Sequence, residues 1–60
     1  MSVDEVIRIF CPKTVRYYDS KLFISWTENS FKEVEKKFSE VNLKTVRDIW
    51  FEDGCLQIWA

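Results

Sequence analysis

The stretch Ile49-Trp50-Phe51-Glu52-Asp53-Gly54-Cys55-Leu56-Gln57-Ile58 decides the fold of this 60-residue chain. Asp53-Gly54 is a two-residue hairpin signal, because a type I′ turn needs positive φ at both central positions and Asp and Gly tolerate it. Folding the chain back there sets Phe51 opposite Leu56 and Ile49 opposite Ile58. Four apolar side chains then share one face of the pair, as a half-buried hairpin requires. The other face carries Trp50, Cys55 and Trp59, with Val46 upstream, and Trp50 and Trp59 become diagonal neighbours close enough to touch.

Working towards the N-terminus, a helix precedes this hairpin. Ser30-Phe31-Lys32-Glu33 matches the S-x-x-E capping box, in which hydroxyl and carboxylate each satisfy an orphan backbone N–H. Phe31, Val34, Phe38 and Val41 follow at spacings of three and four, an apolar stripe. Lys32, Glu33, Glu35, Lys36, Lys37 and Glu40 fill the opposite face, with Glu33 and Lys37 placed for an i,i+4 ion pair. Asn42 is expected to stop the helix in the left-handed conformation. About twelve residues are too few to be helical alone, so the stripe must dock on a sheet. A second hairpin is read at Asp19-Ser20, pairing Tyr17 with Leu22 and Val15 with Ile24. Upstream, Ile7, Ile9 and Cys11 continue the alternation, and Pro12 forces an edge position or a bulge. The expectation is one α+β domain over residues 1–60, in the order β-β-α-β-β, with antiparallel hairpins and one helix packed on one sheet face.

Composition narrows the function. Hydrophobic residues make up 47% of the chain, with three Trp, two Tyr and five Phe, enough for a core and too many for a disordered segment. Nine basic and ten acidic residues give a net charge of −1, which generates no field to draw nucleic acid or an anionic membrane. No apolar run approaches the ~20 residues of a membrane helix. The acidic first residues, Asp4 and Glu5, lead us to expect a cytoplasmic protein, in which Cys11 and Cys55 are free thiols. No His is present and two thiols cannot fill a tetrahedral metal site, so neither metal nor cofactor is expected. No nucleophile stands beside a base, so the chain reads as a binding protein and not an enzyme. Trp50 and Trp59 are candidate interface anchors, or else cover the far side of a small domain. Tyr17, Tyr18 and Phe23, interspersed with Lys13, Arg16 and Lys21, offer the alternative of a single-stranded RNA- or DNA-binding module on which bases stack. As ordinary strand aromatics they would carry no function. A third reading pairs two copies through the exposed sheet face, although a monomer is expected for the free protein.

At Phe38-Ser39-Glu40-Val41-Asn42, followed by a strand and a short acidic hairpin, the chain resembles the Dmd-like antitoxins of T-even bacteriophages. The likeness lies in length, in the β-β-α-β-β order and in the aromatic-x-Glu-Val-Asn end of the helix. It continues more weakly through Val46-Arg47-Asp48-Ile49-Trp50-Phe51-Glu52-Asp53 and Cys55. The resemblance implies a stoichiometric inhibitor that obstructs the active site of a host endoribonuclease toxin of the RnlA or LsoA type and so protects phage mRNA. The place of action would be the host cell cytoplasm. It also implies a toxin contact at Asn42, extended here to nearby Glu33 and Lys37. The family's helix presents a Trp where this chain has Glu33, which puts the choice of toxin in doubt.

Overall fold

The computed structural model describes all sixty residues. It contains α1 (Val3–Phe10), β1 (Thr14–Tyr18), β2 (Phe23–Thr27), α2 (Phe31–Val41), β3 (Asp48–Glu52) and β4 (Cys55–Trp59). The strands form one sheet in the order β2-β1-β4-β3, antiparallel within each hairpin and parallel between β1 and β4. The α+β domain is thus present, but its order is α-β-β-α-β-β, with two helices and a mixed sheet. The parallel pair arises because α2 carries the chain back over the sheet before the second hairpin begins.

The additional helix lies where an alternating strand was expected. Ser2-Val3-Asp4-Glu5 is itself an S-x-x-E box. The Glu5 N–H donates to Ser2 Oγ at 3.2 Å and the Ser2 N–H donates to Glu5 Oε1 at 3.0 Å. Those hydrogen bonds hold the Glu5 carboxyl below its ordinary pKa, the Ser2 backbone first among the causes. Val3, Val6, Ile7 and Phe10 form a helical stripe, and Val3 and Val6 are buried. Ile7, Ile9 and Cys11 therefore sit on a helix and its end, with Cys11 at φ 45° as the left-handed cap. The first N–H groups of α1 are taken up by the loop after α2. Val3 donates to the Lys44 carbonyl at 3.0 Å and Asp4 to the Asn42 carbonyl at 2.9 Å.

The C-terminal hairpin has the expected register, Ile49 opposite Ile58 and Phe51 opposite Leu56. Its turn residues take φ of 55° at Asp53 and 74° at Gly54. The first hairpin is shifted by two residues, with Tyr17 opposite Ile24 and Val15 opposite Trp26. Asp19 is the cause. Its Oδ1 accepts the N–H groups of Lys21 and Leu22, both at 2.7 Å, so the turn extends over four residues instead of two.

Val15, Tyr17, Ile24, Trp26, Val41, Leu56 and Ile58 join Val3 and Val6 in the core. The stripe of α2 docks mainly over β2, not over the C-terminal hairpin: Phe31 and Phe38 meet the Trp26 ring edge-on at 5.8 and 5.4 Å. Phe51 is consequently left 60% exposed, touching only the Phe10 ring at 5.9 Å among the aromatics. Ser30 does not cap α2 with its side chain, because its Oγ already accepts the Thr27 N–H at 2.9 Å. Asn42 remains right-handed at φ −62°. No Glu33–Lys37 ion pair forms; the two pairs present are Arg8–Asp4 and Lys44–Asp19.

Candidate binding face on the open side of the sheet

Both helices cover the same side of the sheet, so the alternation of the strands dictates what the other side shows. From β2 to β3 the open face carries Phe23, Tyr18 and Arg16, then Gln57 and Trp59, then Trp50 flanked by Asp48 and Glu52. Phe23, Trp59 and Trp50 are 57%, 50% and 37% exposed. The expected contact between Trp50 and Trp59 is replaced by one across the sheet. The Tyr18 ring lies 6.4 Å from Trp50 and nearly parallel to it, and 5.0 Å from Phe23. Phe23, Tyr18 and Trp50 thus run as a continuous aromatic band over three strands. Trp50 is steadied by its indole N–H, which donates to Glu52 Oε1 at 3.1 Å. No pocket indents the surface.

Beneath the band lies Gln57, between β1 and β3 and only 1% exposed. The Tyr18 hydroxyl donates to its Oε1 at 2.8 Å, while its Nε2 is buried with no partner. One hydroxyl satisfies only one end of an amide, so a polar atom is stranded here whichever way the amide lies. A buried unpaired donor costs about 1–3 kcal/mol. An apolar residue of similar size would avoid that loss, which makes Gln57 the least economical choice in the sheet. The signal was legible as a lone Gln between Leu56 and Ile58 in a buried strand, but sequence reasoning passed over it.

The residues singled out from sequence fall on two sides of the molecule. Trp50 and Trp59 are on the open face. Glu33 and Lys37 are exposed on the outer surface of α2, and Asn42 is half-buried at its end, its carbonyl engaged by α1. A partner touching both sets would have to reach around a body whose smallest extent is 19 Å. Tyr18 and Phe23 join Trp50 and Trp59, whereas Tyr17 points into the core. There its hydroxyl donates to Asp19 Oδ2 at 2.6 Å, an oxygen that also accepts from Lys44 Nζ at 3.0 Å. Burial pushes the Tyr17 phenol well above its usual pKa, and the hydroxyl, backbone and ammonium donors around Asp19 hold its carboxyl well below the carboxylate range. Cys55, expected on the open face, is there but buried, and Val46 packs against the core instead. Both cysteines are free. No helix is long and apolar enough to cross a membrane.

Compared with models of protein families, with curated proteins and with solved structures, the chain matches none.

Proposed function

We propose that this chain is a non-catalytic binding domain that engages a protein through the open sheet face, and that its partner is an endoribonuclease toxin whose active site it occludes. The observation that carries the binding part is the band of Phe23, Tyr18 and Trp50 on an uncovered face, continued by Trp59. Aromatics in such a position are the residues that most often anchor interfaces.

Charge favours a protein over a nucleic acid. Arg16 is the only cation that the strands place on this face, against Asp48 and Glu52. Phosphate binding draws on several Lys or Arg side chains. An RNase, in contrast, gathers cations where it holds its substrate, and an aromatic face edged with carboxylates complements such a site. The toxin itself is supported by the resemblance to Dmd-like antitoxins around Asn42. The leading helix departs from the element order on which that resemblance was drawn.

The test is titration of the protein into an RnlA- or LsoA-type toxin, following RNA cleavage and complex formation together. Cleavage is expected to fall stoichiometrically, and Trp50→Ala to weaken the inhibition. Retention of full RNase activity at excess protein overturns the toxin assignment. Tight binding of a labelled single-stranded oligonucleotide that weakens steeply with salt would replace it with the nucleic-acid reading.

A further inference from the structure

The unpaired Gln57 amide gives the open face a recognition element beyond its aromatics. Three features meet at this point. Gln57 Nε2 is a fully buried donor without an acceptor. The cross-strand neighbours of Gln57 on the open face are Arg16 on β1 and Trp50 on the edge strand β3, and the Tyr18 ring is held beside it through its hydroxyl. Trp50 is 37% exposed and is held by the ring contact and by one exposed hydrogen bond to Glu52. Of the two rings, Trp50 is therefore the one that a docking partner can displace.

We propose that Gln57 is the specificity-determining donor of the binding face: a partner segment displaces the Trp50 ring and supplies an amide carbonyl oxygen to Gln57 Nε2. The inference rests on the reading that the open face meets the toxin, and it adds what the partner must present. The acceptor is a carbonyl oxygen from a main-chain peptide or an Asn or Gln side chain; the face sets two carboxylates, Asp48 and Glu52, against one cation, Arg16, opposite Gln57 on β1, and so disfavours a carboxylate acceptor. Those two carboxylates call for Lys or Arg on the flanks of the partner segment. In the free protein the donor is stranded; in the complex it is paired. The amide thus detracts from the stability of the free domain and contributes to the complex.

Gln57→Met separates these effects, since it fills the same space without polar atoms. Combined with Tyr18→Phe, so that the tyrosine hydroxyl does not lose its acceptor, the free variant is expected to melt at or above the wild-type temperature. Binding of Gln57→Met to the RNase toxin, measured by calorimetry, is expected to weaken about tenfold or more, the scale of one lost buried hydrogen bond. Trp50→Ala is measured alongside it. If wild-type protein binds the toxin, Trp50→Ala weakens binding and Gln57→Met does not, the assignment of Gln57 is wrong and the open-face reading stands. If wild-type protein does not bind the toxin, the reading itself fails and this inference with it. A melting temperature several degrees below wild type in Gln57→Met combined with Tyr18→Phe also overturns the proposal, because the amide would then be stabilising the free fold.

Discussion

Tyr17 and Tyr18 are neighbours on β1, yet they face opposite sides of the sheet and live in different surroundings. Tyr17 is fully buried under the helices, and its hydroxyl meets a carboxylate that is in turn held by two backbone N–H groups and by Lys44. Every polar group in that network has a partner. Tyr18 lies under no helix, and its hydroxyl serves an amide whose other end has none. The helix side is closed and satisfied, as a face selected for stability should be. The open side keeps large exposed rings and an unpaired donor, the kind of local conflict that folded chains tolerate where they have to bind something.

Truncation on the closed side should have the largest effect. Trp26 is buried against Phe31 and Phe38, so Trp26→Ala is expected to cost about 3–5 kcal/mol. Phe38→Ala, which removes a half-buried partner of the same ring, should fall at or below the bottom of that range. Denaturant unfolding measures both. A Trp26→Ala protein that unfolds at the wild-type midpoint would contradict the docking of α2 on β2.

The two tyrosines allow a direct comparison of the faces. Tyr17→Phe removes a hydrogen bond to a charged acceptor and should cost about 1.5–3 kcal/mol. Tyr18→Phe strands the second end of Gln57 and should also destabilise. Adding Gln57→Met to Tyr18→Phe then restores stability, because no unpaired polar atom remains. A double-mutant cycle checks this, and a double variant no more stable than Tyr18→Phe alone would remove the asymmetry between the faces.

The Tyr17–Asp19 bond also has a pH signature. The carboxyl of Asp19 titrates lower in the fold than in the unfolded chain, so its contribution is present above about pH 4 and lost as pH falls further. Tyr17 titrates higher in the fold than when unfolded, so its contribution is present below about pH 10 and lost above it. Melting temperatures should therefore be flat between these limits and fall on both sides. In Tyr17→Phe the alkaline fall should shrink and the acid fall should be reduced, Lys44 and the turn N–H groups still holding Asp19.

A smaller effect is expected at Ser2, and it shows why part of the fold escaped the sequence. Ser2→Ala should cost about 1 kcal/mol by removing a hydroxyl that caps α1, whereas Ser30 caps nothing by its side chain. Thermal melts of Ser2→Ala check this. The same four-residue pattern occurs at both places, and pattern alone cannot say which hydroxyl is already engaged by a turn. The C-terminal hairpin was legible to the residue because Asp53-Gly54 and the alternation specify one register. The first hairpin was not, since a single carboxylate, Asp19, lengthened its turn. Residues Ile7 to Cys11 fit a strand period and a helix period alike, and the Ser2–Glu5 capping box together with the carbonyls of the loop after α2 favours the helix. Of the candidate site, Trp50 and Trp59 were legible from the hairpin parity. Their juxtaposition with Tyr18 and Phe23 was not, because it depends on the parallel pairing of β1 with β4, a contact between distant parts of the chain.

The smallest stability effect is expected at Trp50, even though it removes one of the largest side chains. Two changes oppose each other in Trp50→Ala. The stacked contact with Tyr18 is lost, and such ring pairs contribute about 0.5–1.5 kcal/mol beyond the area they bury. The Gln57 amide is opened to water at the same time, which relieves a penalty of about 1–3 kcal/mol. Trp50 is already more than a third exposed, so the area it leaves behind is modest. The net change should stay within about 1 kcal/mol, against several for Trp26→Ala. Binding should behave differently, with Trp50→Ala losing ~2 kcal/mol or more if the ring anchors the interface. Unfolding and toxin titration on the same preparation measure both quantities. If Trp50→Ala destabilises the fold as strongly as Trp26→Ala, the two faces of the sheet are equally part of the core, and the open side has no separate role.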